Sequence, residues 1–290
     1  MMLLTEGKLE GLSTRDRVDW KVQALKKGET WLLVIDCKSP RVSSDASLLE
    51  LAASSLAVLR CQRWVERVII GMRVCPFTQS VSVAATGLSK VGIAPGPIGY
   101  PVCHADHVVH VLSALWNTIS DMLSKDPTEL STVLLLTPCF SQDDFPRYAA
   151  ASRVISNALL SLKAEKNISL VFFHPFYERE AVFPVNDPTH GHLPPENMLR
   201  SMLLNFYEIE DVMNFEDNLH QNDFSRRSPM PMINLLRTEQ VELAEQLTSG
   251  AKVYCANAKR MAQADRTALL RGLASDMAAP QLSQDKDRPF

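Results

Sequence analysis

TVLLLT, residues 132–137, is a short run of apolar and β-branched residues, which is typical of a buried strand. SLVFF, residues 169–173, is a second run of the same kind. Between the two, apolar residues recur at helical spacing from Tyr148 to Leu162. Asp143 or Asp144 stands in front of that segment, as a residue that caps a helix does. The middle of the chain therefore predicts a strand–helix–strand unit.

The same alternation extends towards the N-terminus. Helical spacing of apolar residues predicts a helix from Val108 to Leu123, capped by Asp106, and one or two helices over residues 47–72. WLLVIDC, Trp31 to Cys37, reads as a strand buried on both faces, and residues 98–103 read as an edge strand. The resulting β-α-β-α-β-α-β order predicts an α/β fold with a small, mainly parallel or mixed sheet and helical crossovers.

The C-terminal part is expected to be helical, because helical spacing recurs over residues 196–209, 232–247 and 258–275. Residues 183–195 are rich in Pro, Asn, Asp and His, which predicts a long loop. The predicted organisation is an N-terminal extension over residues 1–28, a single α/β domain over 29–278 and a disordered tail over 279–290.

Composition narrows the classes of partner. The net charge of the 290 residues is only −3, which argues against nucleic-acid binding. No apolar run reaches the length of a membrane span. The cysteines are scattered without a CxxC pair, as expected for reduced thiols in the cytoplasm, at positions 37, 61, 75, 103, 139 and 255. The oligomeric state does not follow from the sequence.

A cysteine stands where an apolar helical segment stops. WVERVIIGMRVCPF, residues 64–77, ends in Cys75-Pro76-Phe77. Proline disfavours helix before itself and suits the first turn of a new helix, so a helix is expected to begin at Pro76. That helix start and the nearby Arg73 would stabilise a thiolate and make Cys75 a nucleophilic or redox group. The alternative is a buried cysteine that only fills space.

Polar and reactive residues follow several predicted strands, at Asp36-Cys37, Cys103-His104, Thr137-Pro138-Cys139 and His174-Pro175. Ligands of open parallel sheets bind outside the carboxyl ends of the strands, so a site is expected there. His174 would act as a general acid or base, since its ordinary pKa is close to neutrality. The alternative is a histidine that only hydrogen-bonds the loop after its strand.

Three motifs together resemble an uncharacterised family, domain of unknown function 1415. They are Trp64 with Cys75-Pro76-Phe77, then Phe173-His174-Pro175-x-Tyr177, then Arg227-Ser228-Pro229-x-Pro231 followed by Leu235-Leu236-Arg237. The resemblance spans about residues 61–244. The chain departs from the family pattern at Arg226, Met230 and Asn234, where Asn, an aromatic residue and His are common. The family implies no particular activity, but it groups the motifs into one candidate site.

Arginines of the third motif are the candidate substrate-binding residues. Arg226, Arg227 and Arg237, with Ser228 beside them, can bind a phosphate or carboxylate through paired N–H donors. A helix expected just after the prolines would add free backbone N–H groups. Alternatively, these arginines form surface ion pairs with an acid-rich segment over residues 208–217.

A metal site is not favoured. His104, His107 and His110 follow one another at intervals of three, so at most two of them share a helix face. Neither a GxGxxG nor a GxxxxGK[ST] phosphate loop occurs, and the sequence identifies no cofactor.

Two hypotheses follow. In the first, the protein is an enzyme that acts on a small anionic metabolite, with Arg227 and Arg237 binding it, His174 moving a proton and Cys75 as nucleophile or redox group. In the second, it is a non-catalytic module that binds a small anion or a protein, and Cys75 is structural. The reaction type stays open in both. Convergence of Cys75, His174 and Arg227 on one cleft would favour the enzyme.

Overall fold

A five-stranded mixed sheet organises the chain. The computed structural model describes residues 20–27, 30–37, 44–179, 190 and 193–278. The strands are β1 (Trp20–Lys27), β2 (Thr30–Cys37), β3 (Val83–Ala84), β4 (Gly96–Gly99), β5 (Thr132–Leu136), β6 (Ile168–Phe173) and β7 (Met232–Arg237). The order in the sheet is β3-β4-β5-β7-β6, with β4 and β5 parallel and β7 antiparallel to both of its neighbours. The predicted α/β class is confirmed.

Helices cover both faces of the sheet. They are α1 (Ser44–Trp64), α2 (Val108–Ser124), α3 (Phe145–Ser161), α4 (Glu196–Leu203), α5 (Ile209–Met213), α6 (Thr238–Leu247), α7 (Gly250–Gln263) and α8 (Arg266–Met277). A π-helical turn, Val65–Ile70, extends α1, and a 3-10 segment, Glu216–Ser225, precedes β7. Within the ranges described, none of the helices combines the length and hydropathy of a membrane span.

The side chains of β5 alternate between two cores, as the period of a strand requires. Val133 and Leu135 face the core that α2 and α3 cover. Leu134 and Leu136 face a second core with Trp64 at the end of α1. The predicted cap of α3 is Asp144, whose Oδ1 accepts a hydrogen bond from the N–H of Arg147 (2.9 Å). The second core is the one that borders the candidate site.

The prediction of one helix over residues 232–247 is wrong in its first part. Residues Met232–Arg237 form β7, which lies between β5 and β6, and the helix α6 begins only at Thr238. A short apolar run is compatible with a helix and with a strand. Here it forms a strand, because its backbone hydrogen-bonds to a strand on each side. The residues directly after Pro229 and Pro231 therefore do not begin a helix. The free backbone N–H groups that such a helix would offer to an anion are absent at this position.

The predicted strand Trp31–Cys37 is confirmed as part of β2, but it lies outside the five-stranded sheet. It pairs antiparallel with β1, which falls in the predicted N-terminal extension. The strand expected over residues 98–103 is shorter, because β4 ends at Gly99, before Pro101. Some predictions fall outside what the structure describes. They concern residues 1–19, the tail 279–290, the burial of the β2 side chains, and the loop 183–195 apart from residues 190 and 193–195.

Candidate functional site

The three motif segments meet at the carboxyl end of β6. The indole Nε1 of Trp64 donates a hydrogen bond to the carbonyl of Arg227 (2.8 Å). The backbone N–H of His174 donates to the carbonyl of Arg226 (3.2 Å). The rings of Trp64 and Phe173 pack edge to face, with centroids 5.2 Å apart. These contacts explain why motifs that are 52 to 163 residues apart along the chain form one structural unit.

A cavity of about 280 Å³ lies beside this junction, between the sheet and helices α6 and α7. Its lining is mostly apolar, with few polar groups, as is usual for small-molecule sites. The sheet contributes Ile98, Thr132, Leu134, Val171, Phe173, Asn234 and Leu236. Near α1 the cavity is lined by residues 74–78. Opposite the sheet it is lined by residues of α6 and α7 between positions 240 and 257. Cys75 and Arg226 both line this cavity.

Arg226 is the buried charged residue of the cavity, whereas Glu245, which also lines it, is exposed. Arg226 is 7% exposed, and its Nη1 atom has no hydrogen-bond partner within the described part of the chain. Across the described residues no carboxylate forms an ion pair with it. Its Cζ lies 5.5 Å from the ring centroid of Phe173, so the cation is stabilised mainly by an aromatic face. A buried cation with an unused donor is a ready anchor for an anion.

Burial lowers the pKa of Arg226, and the positive charge of Arg179 lowers it further. Tyr177 and Tyr254 raise it. The net direction is that of a guanidinium short of negative neighbours, although arginine remains protonated. A bound anion would supply the negative charge that the guanidinium of Arg226 lacks.

The cavity has a buried end and an exposed end. Arg226 and Phe173 are buried, whereas Pro76 and Glu245 are exposed. Asn234 lies between two apolar neighbours on the sheet, Leu134 and Val171, and its Oδ1 accepts from Thr132 Oγ1 (3.2 Å). A ligand that enters beside Pro76 would therefore meet the guanidinium last, after passing apolar walls.

The turn that carries Cys75 is held in place by its neighbours. Asn257 Nδ2 donates to the Val74 carbonyl (2.8 Å), and Thr78 Oγ1 donates to Cys75 Sγ (3.4 Å). A side chain at Gly87 would come within 3.0 Å of the Pro76 carbonyl, so that glycine permits the turn to pack closely. The thiol is half-buried.

The expected helix start at Pro76 is wrong. The residues after Cys75 form a turn, and Arg73, which lies beyond the end of the π-helical extension at Ile70, is in the left-handed region (φ 53°). That geometry is common where a helix ends. Any activation of Cys75 therefore comes from side chains of the cavity and not from a helix N-terminus.

Tyr254 is within electrostatic reach of both Cys75 and Arg226. Burial raises the pKa of its phenol, Arg226 lowers it, and Glu245 and Cys75 raise it. The cavity thus places a guanidinium, a phenol and a thiol near one another, in a largely apolar setting where charges interact strongly.

His174 lies at the end of β6, but its side chain does not line this cavity. The imidazole is completely buried, with Nε2 2.8 Å from the carbonyl of Ser141 and Nδ1 accepting from the N–H of Phe176 (3.1 Å). Burial lowers its pKa, which favours the neutral ring. Both ring nitrogens contact backbone groups, which agrees with the alternative that His174 only hydrogen-bonds nearby loops. A catalytic role of His174 stays a prediction.

The other predicted binding residues lie elsewhere. Arg227 stacks on Phe224 (4.6 Å from Cζ to the ring centroid) and donates from Nε to the carbonyl of Tyr177 (3.0 Å). Ser228 is buried and donates to the carbonyl of Met230 (2.7 Å). The expected convergence of Cys75, His174 and Arg227 on one cleft is not observed.

Arg237 binds the end of a helix. Its Nη2 donates to the carbonyls of Met122, Lys125 and Leu130, at 2.8, 2.8 and 2.9 Å. The acid-rich segment finds other partners, since Glu216 pairs with Arg200 and Asp211 with Lys259. Its expected pairing with the motif arginines is absent from the ion pairs of the described chain.

The carboxyl ends of β4 and β5 do come together, as the strand-end argument predicts. The N–H of Cys103 donates to the carbonyl of Leu136 (2.8 Å), and burial raises the pKa of Cys103. The cavity lies on the face of the sheet, where its lining extends from Thr132 at the start of β5 to Phe173 at the carboxyl end of β6. No group of three His, Cys, Asp or Glu side chains in the described ranges is arranged to hold a metal ion.

Sequence reasoning missed Tyr254, Asn234 as a cavity residue and the helices α6 and α7 as its upper wall. Nothing in their local pattern distinguishes these residues from ordinary helix and strand positions. Arg226 was found, because it stands next to the Arg-Ser-Pro motif.

A comparison with protein families supports the resemblance. The family model DUF1415, described as "Protein of unknown function (DUF1415)", matches residues 57–187. That segment contains the first two motifs, with Cys75 and His174. No curated protein and no solved structure matches the chain.

Proposed function

From the DUF1415 segment and the cavity it helps to line, we propose that the protein binds a small anion with an apolar body. Arg226 holds the anionic group, and the apolar walls hold the remainder. The observation that carries this proposal is a buried arginine, 7% exposed, that lines a cavity and has an N–H group with no partner among the described residues. An unpaired buried charge is costly, and an anion that pairs with it would relieve that cost.

The enzyme hypothesis and the binding-module hypothesis share this cavity. Cys75 lines the same cavity as Arg226, and this shared placement supports chemistry on the bound anion. A carboxylate is the simplest anionic group for the site, because a guanidinium binds it through two parallel hydrogen bonds. We propose a cytoplasmic location, since a working thiol at Cys75 requires a reducing compartment and the free cysteines include Cys61, Cys75, Cys103, Cys139 and Cys255.

The test is a thermal-shift titration with acetate, hexanoate and inorganic phosphate. Hexanoate should raise the melting temperature more than acetate, because its chain covers the apolar walls while its carboxylate meets Arg226. At about 100 times the dissociation constant, the rise should be roughly 5–10 °C for a domain of this size.

Arg226→Met removes the charge at similar volume and should abolish the hexanoate shift, whereas Arg226→Lys should keep part of it. Arg147→Met is the matched control, because Arg147 is exposed on α3 and stacks over Phe140, on the opposite face of the sheet. The same titration with Arg227→Met tests the earlier assignment of Arg227, and an unchanged shift is expected. A full hexanoate shift in Arg226→Met would overturn the proposal.

A further inference from the structure

The cavity contains both a cation anchor and a thiol. Cys75 and Arg226 line the same space of about 280 Å³, and the Thr78 hydroxyl donates to Cys75 Sγ at 3.4 Å. The unpartnered Nη1 of Arg226 indicates which ligands reach the sulfur, because it attracts anions and not cations.

The turn around the thiol is fixed in advance. Asn257 binds the carbonyl before Cys75, Arg260 Nη1 donates to the Arg73 carbonyl (3.2 Å), and Thr86 Oγ1 donates to the Phe77 carbonyl (3.4 Å). Three side chains from two separate segments therefore hold the turn. A nucleophile held in this way loses little freedom when it reacts, and proximity of this kind accounts for large rate increases.

We infer that the Cys75 thiol is a nucleophile towards small carboxylates that carry an electrophilic carbon and that Arg226 holds in the cavity. This inference rests on the proposed function and names its substrate class. In the reaction, Cys75 Sγ forms a bond to the electrophilic carbon, and the leaving group departs with the electron pair of the bond that breaks. The thiol proton passes to solvent. No oxidant, reductant or further reactant is needed.

A pair of alkylating reagents tests this directly. Iodoacetate and iodoacetamide differ little in size and share the iodide leaving group, but only iodoacetate is an anion. Labelling of each cysteine in the folded protein is followed by mass spectrometry. Cys139 is the internal reference, because it is an exposed thiol outside the cavity.

The ratio of the iodoacetate rate to the iodoacetamide rate should be about 10-fold or more higher at Cys75 than at Cys139, as one charge-assisted contact would produce. Arg226→Met should bring the Cys75 ratio down to that of Cys139, and Arg226→Lys should restore part of it. Arg147→Met should leave it unchanged. Hexanoate should slow iodoacetate at Cys75 in wild type in a saturable way and leave Cys139 unaffected, which tests the inference even if Arg226→Met fails to fold.

Equal ratios at Cys75 and Cys139 in wild type, or a hexanoate-insensitive Cys75, would overturn the inference. If hexanoate still raises the melting temperature through Arg226 in that case, the binding function stands and only the chemistry at Cys75 is lost. If hexanoate has no effect through Arg226 on melting temperature, the proposed function falls, and an anion preference at Cys75 must then be attributed to another cation.

Discussion

The guanidinium of Arg226 lies over the ring of Phe173 and pairs with no carboxylate of the described residues, whereas Arg179, as deeply buried, pairs with Asp223. Arg179 Nε is 2.5 Å from Asp223 Oδ1, and its Nη1 donates to the carbonyl of Pro194 (2.8 Å). One chain therefore contains a satisfied buried arginine and an unsatisfied one. Arg179 is therefore a structural charge, because its ion pair satisfies it, whereas the charge of Arg226 is available to a ligand.

This contrast predicts opposite effects on stability. Arg179→Met removes the ion-pair partner of the buried Asp223, which keeps only the hydrogen bond from the backbone N–H of residue 179, and should lower the free energy of unfolding by about 3–5 kcal/mol. Arg226→Met loses a cation–π contact of about 0.5–2 kcal/mol, but it also removes an unpaired buried charge, so the net change should stay within about 1 kcal/mol. Urea unfolding without added anion measures both. A loss as large as that of Arg179→Met would show that Arg226 is a structural charge too.

His174 should make stability depend on pH. Burial lowers its pKa, although the Ser141 carbonyl and two nearby aspartates raise it. Below its ordinary pKa of about 6.5, the unfolded chain binds a proton more readily than the folded protein does. The contribution of neutral His174 is therefore complete above about pH 6.5 and is lost as the pH falls through the lowered folded-state pKa.

The measurement is urea unfolding of wild type and His174→Gln at several pH values from about 7.5 down to about 5. Wild-type stability should fall more steeply than that of His174→Gln, since glutamine keeps a hydrogen-bond donor for Ser141 but does not titrate. If the stability of the two proteins fell equally with pH, His174 would be protonated as readily in the folded protein as in the unfolded chain. It would then again be a candidate general acid or base.

Arg237 is expected to act on stability and not on binding. Its contacts with the Met122, Lys125 and Leu130 carbonyls hold the end of α2 and the segment that leads into β5. Arg237→Met should lower the free energy of unfolding by roughly 1.5–3 kcal/mol, the range for a hydrogen bond to a charged group. The hexanoate shift should persist in the variant. A lost shift in a stable variant would instead support the substrate-binding role that the sequence suggests.

The parts of the fold that could be predicted are those with local signals. Strand β5 and helix α3 show a continuous apolar run and a capped helical period, and both are where they were expected. Strand β7 has a short apolar run like the start of a helix, and its pairing with Leu134 of β5 joins residues 100 positions apart. Local pattern contains no information about such a pairing.

The candidate site shows the same division. Cys75 and Arg226 could be found because each belongs to, or adjoins, an unusual motif. The cavity itself could not, since the sheet, the Cys75 turn and two C-terminal helices form it only after they pack. The direction of a side chain was also beyond the sequence: Arg226 and Arg227 are adjacent, yet only the first lines the cavity.

The last prediction concerns the remaining thiols. Cys61 and Cys255 are 0% exposed, and burial raises the pKa of both, so neither should react while the protein is folded. Iodoacetamide at about pH 8 should label Cys139 first and Cys61 and Cys255 at least about 100-fold more slowly, becoming comparable only in urea. Site-by-site mass spectrometry over a time course provides the rates. Fast labelling of Cys61 in the folded protein would mean that Trp64 and its neighbours in the second core open readily, and the wall that the cavity shares with that core would then not be rigid.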